Sequence, residues 1–196
     1  MEVSGYAQVR RVQLISIAWM SLEVVVSLVA AARAQSIALL AFGGDSVIEL
    51  ASALVVLYRF NGSGLSERVA ARTAAVLLYL LAGFIVVASV FSLLGFGLAP
   101  RPSYLGIVFL MAAGFVMPWL ASQKRRLARE NGSSALAADA TQSAVCAWLS
   151  WIALAGLAAN ACFRMPWADE LAALALVPLV VKEGRVSWQG KACHCC

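Results

Sequence analysis

The chain has 196 residues, of which 62% are hydrophobic and only 13% charged, and its mean hydropathy is +0.85. A soluble domain is nearer half apolar and a quarter charged, so this composition excludes an ordinary globular enzyme and makes the chain a polytopic membrane protein. The formal charge of +5 is then an orientation signal rather than a nucleic-acid footprint.

The first 11 residues are polar and end in Arg10-Arg11, and the first apolar segment follows at about Val12–Ala32. Ala32-Arg33-Ala34 has the form of a signal-peptidase site. However, the apolar run exceeds the roughly 7–15 residues of a leader's hydrophobic region and contains Glu23, so it reads as an uncleaved span. The second span, Ser36–Tyr58, carries Asp45 and Glu49 near its centre. Residues four apart share one helical face, and in hydrocarbon each carboxylate costs several kcal/mol unless it meets a partner, a cavity or a cation. Gly43-Gly44 beside them lets a neighbouring helix approach, or kinks the span.

Arg59–Arg72, containing NGSG, reads as a loop. Span three follows at about Thr73–Leu98 and stops at Ala99-Pro100-Arg101-Pro102, because proline does not continue a helix. Span four is about Tyr104–Ala121, and the basic segment from Lys124 to Arg129 reads as a topology anchor. Span five is about Ala135–Phe163. Span six runs about Ala168–Val181 and continues toward Trp188. The expected architecture is therefore an all-α bundle of six transmembrane helices over residues 12–188. A polar segment covers 1–11 and a Cys/His-rich tail covers 189–196.

Twelve of the 15 Lys and Arg residues fall on one side of this layout, leaving Arg33, Arg101 and Arg164 on the other. The positive-inside rule puts the richer side, with both termini, in the cytoplasm, as expected of a multi-pass protein of the inner (plasma) membrane. No phosphate loop, dinucleotide fingerprint or nucleophile elbow is present, and no nucleophile–base set suggests an enzyme.

Four acidic residues lie within spans: Glu23, Asp45, Glu49 and Asp139. In span five Asp139 is followed on its face by Gln142, Ser143, Cys146 and Ser150, at helical spacing. Oxygen ligands suit hard divalent ions, and a thiolate adds affinity for softer ones. Asp45, Glu49, Gln142 and Cys146 therefore make a candidate metal site, with Glu23 as a further carboxylate or proton carrier and Asp139 at the entrance. A lone intramembrane cysteine also serves as a small apolar packing residue. Cys193, His194, Cys195 and Cys196 at the C-terminus are a second set of soft ligands, or palmitoylation sites.

The two stripes resemble the motifs of the cation diffusion facilitator family, S-x-A-L-L-A-D-A-x-H-S-x-x-D and A-D-A-x-H-S-x-x-D. Here SIALLAFGGDSVIE spans Ser36–Glu49 and ADATQSAVC spans Ala138–Cys146. In this matching Asp45 and Glu49 take the positions of the first ligand pair and Gln142 and Cys146 those of the second. Asp139 matches the acidic residue before the second motif's ligand, and Trp167-Ala168-Asp169 resembles the start of that family's last helix. No histidine stands at the four positions, and the chain reads as a short variant without the family's C-terminal cytoplasmic domain. The resemblance implies proton-coupled efflux of a transition metal such as zinc, cobalt or cadmium by a homodimer with alternating access. The expected partners are the lipid bilayer, the cation and protons, with no tightly bound cofactor. The alternative is a membrane protein that senses metal or binds a partner without transporting.

Overall fold

The computed structural model describes residues 2–60, 67–96, 100–165 and 167–189. These form six helices and no strand among the described residues: α1 (Glu2–Ala34), α2 (Ile37–Phe60), α3 (Glu67–Phe91), α4 (Tyr104–Asn131), α5 (Ser134–Phe163) and α6 (Trp167–Gln189). A π-helical turn, Ser92–Phe96, extends α3 and ends near Gly95, whose φ of 85° is a left-handed conformation open to glycine.

A sustained alternation of three- and four-residue spacings builds the bundle. In α1 the buried seam is Val9, Gln13, Ser16, Met20, Glu23, Ser27, Ala30 and Ala34. In α4 it is Leu110, Ala113, Met117, Leu120, Lys124 and Leu127, and in α5 it is Leu136, Asp139, Ser143, Cys146, Ser150, Ala153, Leu157 and Asn160. Such a repeat keeps one stripe of each helix facing its neighbours along its whole length. The helices pack as two rows of three. α1, α2 and α3 lie side by side, as do α4, α5 and α6, and the rows meet as α1 on α4, α2 on α5 and α3 on α6. The α2–α5 pair occupies the middle.

Small residues permit the closest approaches. A β-carbon at Gly43 would stand 2.7 Å from Ser27 Oγ of α1, and one at Gly44 2.8 Å from Leu81 of α3. The glycine pair thus lets α2 sit against a helix on each side. At Gly156 an added β-carbon would press on Ala172 and the Ala168 carbonyl of α6.

The turns are fixed by caps. Ser103 and Ser133 accept from the backbone N–H groups of Gly106 and Leu136, at 3.1 and 3.3 Å. Gly132 closes α4 with a left-handed φ of 59°. Asp169, at the start of α6, accepts from Ser36 Oγ (2.6 Å) and from the Ile37 N–H (2.8 Å), so one carboxylate both caps α2 and ties it to α6.

The outward faces are apolar. Leu77, Leu80, Phe84, Val87, Phe91 and Leu94 form an exposed stripe along α3 and its extension, an expanse that water does not support on a monomeric soluble protein. Among the described residues, five helical segments are long and apolar enough to cross a bilayer: Ala7–Ala34, Ile37–Leu54, Ala75–Phe96, Tyr104–Asn131 and Leu136–Phe163. α6 falls outside that set, because Asp169, Glu170, Lys182, Glu183 and Arg185 leave it a shorter apolar run. Fold and surface together define an all-helical membrane protein.

Three boundaries differ from the sequence reading. α1 begins at Glu2, so the helix takes in the segment read as a polar stretch before Val12. α4 continues ten residues past Ala121 to Asn131, so Lys124 belongs to a helix seam and is fully buried, while Arg125, Arg126 and Arg129 face outward. α2 runs to Phe60 and α3 begins at Glu67, which makes the Arg59–Arg72 connection much shorter than expected. The Cys193–Cys196 tail lies outside the described residues.

Candidate functional site

The site grows from the central α2–α5 contact. α2 presents Asp45 and Glu49 inward, buried to 3% and 2% exposure, and α5 faces them with Cys146, which is fully buried. One carboxylate oxygen from each acid and the Cys146 Sγ all lie within 4.8 Å of one another. That is a separation which small shifts of side chains convert into a shared coordination shell, since metal–oxygen and metal–sulfur bonds run from about 2.0 to about 2.6 Å.

α1 adds Glu23, whose Oε1 accepts from Cys146 Sγ at 3.7 Å and which lies within electrostatic reach of both Asp45 and Glu49. Glu23 Oε2 and Glu49 Oε2 are buried without a hydrogen-bond partner. Orphaned buried carboxylate oxygens are costly, and two around one thiol are acceptors for a cation or a proton.

On the side of the α4–α5 turn the cluster continues as a chain of polar contacts. Ser143 Oγ donates to Glu49 Oε1 at 2.6 Å. Lys124 Nζ donates to Ser143 Oγ at 2.8 Å and forms an ion pair with Asp139 Oδ2 at 3.0 Å, both side chains fully buried. Gln13 Nε2 of α1 donates to the same Asp139 oxygen at 2.8 Å. Four helices therefore converge on one line of polar atoms.

The sequence-predicted residues divide accordingly. Asp45, Glu49 and Cys146 come together as expected, and Glu23 joins them. Asp139 lies one step away, paired with Lys124 instead of lining the trio. Gln142 is buried on α5, and its side chain is directed to Glu183 of α6.

Glu183, in the continuation of span six toward Trp188, is outside the predicted site, yet it is buried and lies within electrostatic reach of Asp45 and Glu49. Its Oε2 is unpartnered. The signal for it was spacing: Ala173, Leu176, Val180 and Glu183 continue one buried seam of α6. Lys124 was missed for the same reason, its seam being masked by the arginines around it.

The charges do not balance. Glu23, Asp45, Glu49, Asp139 and Glu183 are five buried carboxylates, and Lys124 is the one buried ammonium among the described residues. Asp169 and Glu170 stand apart at the other end of α6, where Ser36 and Ser92 donate to them at 2.6 Å each. A low-dielectric interior does not hold four uncompensated charges, so the cluster requires bound cations, bound protons or both. No protein-family model matches the chain, and no curated protein matches it.

Proposed function

We propose that the protein moves a divalent transition-metal cation across a membrane in exchange for protons, with Asp45, Glu49 and Cys146 as the core of the ion site. The observation that carries this reading is the buried convergence of those three ligand atoms within 4.8 Å, next to the unpartnered oxygens of Glu23 and Glu49. Mixed oxygen and sulfur donors favour borderline and soft ions such as zinc, cobalt or cadmium over magnesium or calcium.

Proton coupling follows from charge balance. The cation and protons compete for the same carboxylate oxygens, so loading the metal releases protons and unloading it takes them up. Glu23 and Glu183, at the edge of the trio, are the proton-carrying acids in this scheme. The packing of three helices against three, with the site where the middle pair meets, suits a transporter that rocks one half against the other around a central site.

The resemblance of α2 and α5 to the cation diffusion facilitators points the same way. With it come six spans, cytoplasmic termini, export from the cytoplasm, an inner-membrane location and a homodimer. Metal uptake by inside-out vesicles tests the assignment. Asp45→Asn and Glu49→Gln should each abolish uptake at unchanged protein level. Wild-type uptake in both variants sinks the ion-site reading, and wild-type protein that binds the cation without moving it supports the metal-sensing alternative.

A further inference from the structure

Lys124 is hard to account for as packing. A lysine is almost never fully buried unless paired, and here the ammonium sits on α4 between two acids of different roles. Asp139 takes it directly at 3.0 Å, and Ser143 carries its influence to Glu49 through contacts of 2.8 and 2.6 Å. Two acceptors beside it are empty: Asp139 Oδ1 and Gln13 Oε1 are both buried without a hydrogen-bond partner. Asp139, Gln13 and Ser143 therefore offer more oxygen acceptors than one ammonium satisfies, at a point between the Asp45–Glu49–Cys146 trio and the α4–α5 turn.

We propose that Asp139, Gln13 and Ser143 form an entry station for the cation, and that Lys124 is a tethered ammonium that fills this station and closes the trio from the α4–α5 end. A lysine suits this role because its charge rides on a flexible four-carbon stem and leaves by rotation of that stem. When it swings away, Asp139 is left with the charge and the free oxygens to receive an incoming cation. Ser143, released from Lys124, still touches Glu49 and marks the next step inward. The four helices bridged by this line of contacts are those that must separate for the cation to pass.

The proposal rests on reading the trio as a cation site, but its test needs no cation. With Cys162, Cys193, Cys195 and Cys196 replaced by serine, Cys146 becomes the sole thiol and reports access to the trio. Its labelling by a membrane-impermeant maleimide is measured in chelator-treated proteoliposomes, with reagent added to one face at a time. Lys124→Met combined with Asp139→Leu removes both charges and leaves neither unpaired, so the bundle keeps its fold. That variant should label at least tenfold faster from the face bearing the α4–α5 turn, with the opposite face unchanged. Lys124→Arg, which keeps a cation in the station, should stay as slow as wild type. Unchanged labelling of the charge-free variant, an equal rise from both faces, or fast labelling of Lys124→Arg overturns the proposal. Loss of metal uptake in Asp45→Asn is a separate result and bears only on the trio.

Discussion

Replacing Lys124 by methionine keeps the length of the side chain and removes its charge, which strands Asp139 in the bundle. At the observed 3.0 Å and an effective dielectric constant of about 20, the direct attraction lost is roughly 5 kcal/mol. Breaking a fully buried ion pair from one side costs about 3–5 kcal/mol in practice, most of it the penalty on the partner left behind. Asp139 keeps only the Gln13 amide among its side-chain partners, so the upper half of that range is expected. Adding Asp139→Leu should recover most of the loss, because replacing both charges of a buried pair with apolar groups is near neutral or stabilising. Denaturant titration of detergent-solubilised protein, followed by tryptophan fluorescence, reads both effects. If Lys124→Met lies within about 1 kcal/mol of wild type, the pair is solvated rather than buried and the reasoning fails.

Three further outcomes follow from other contacts. Ser143→Ala leaves Glu49 Oε1 and one Lys124 donor unpaired, so unfolding should become easier by about 1–3 kcal/mol, measured in the same titration. With the other four cysteines replaced by serine, Cys146→Ser should abolish the thiolate-to-metal charge-transfer band of the cobalt-loaded protein and lower affinity for cadmium more than for manganese, because only the soft ion loses its preferred ligand. An unaltered band places the thiol outside the shell. Gly156→Val should destabilise the bundle by about 1–3 kcal/mol through its clash with Ala172 and the Ala168 carbonyl, whereas Gly83→Val, where nothing lies within 4 Å, should leave packing intact. Equal stabilities for the two valine variants would remove the close α5–α6 contact.

How much could be read beforehand differs from helix to helix. The bundle itself was legible, since apolar runs of bilayer length dominate α1 to α5 and their ends are marked by Ser, Gly and Pro. Asp45 and Glu49 stood out because two carboxylates in an apolar run have no bland explanation, and helical spacing put Cys146 on the same stripe of α5 as Asp139 and Ser143. Lys124 and Glu183 were obscured by local composition. Each sits among charged neighbours that suggest a helix end in water, and only the three-four seam, which extends the apolar stripe through Leu120 to Lys124 and through Val180 to Glu183, reveals that they point inward. The end of α4 was signalled by Gly132, whose left-handed conformation stops the helix, more faithfully than by the first run of basic residues. The Asp139–Lys124 pairing was beyond sequence reading, because it depends on which helices become neighbours.

The central claim is that one buried acid–thiol cluster exchanges a metal cation for protons. It is tested most directly by following both ions at once in proteoliposomes that hold a pH dye and a metal dye. On addition of zinc or cadmium, wild type should carry metal inward and protons outward with the same time course, and the Asp45→Asn/Glu49→Gln double variant should carry neither. Metal movement without proton movement would contradict the exchange, and equal fluxes in the double variant would contradict the site.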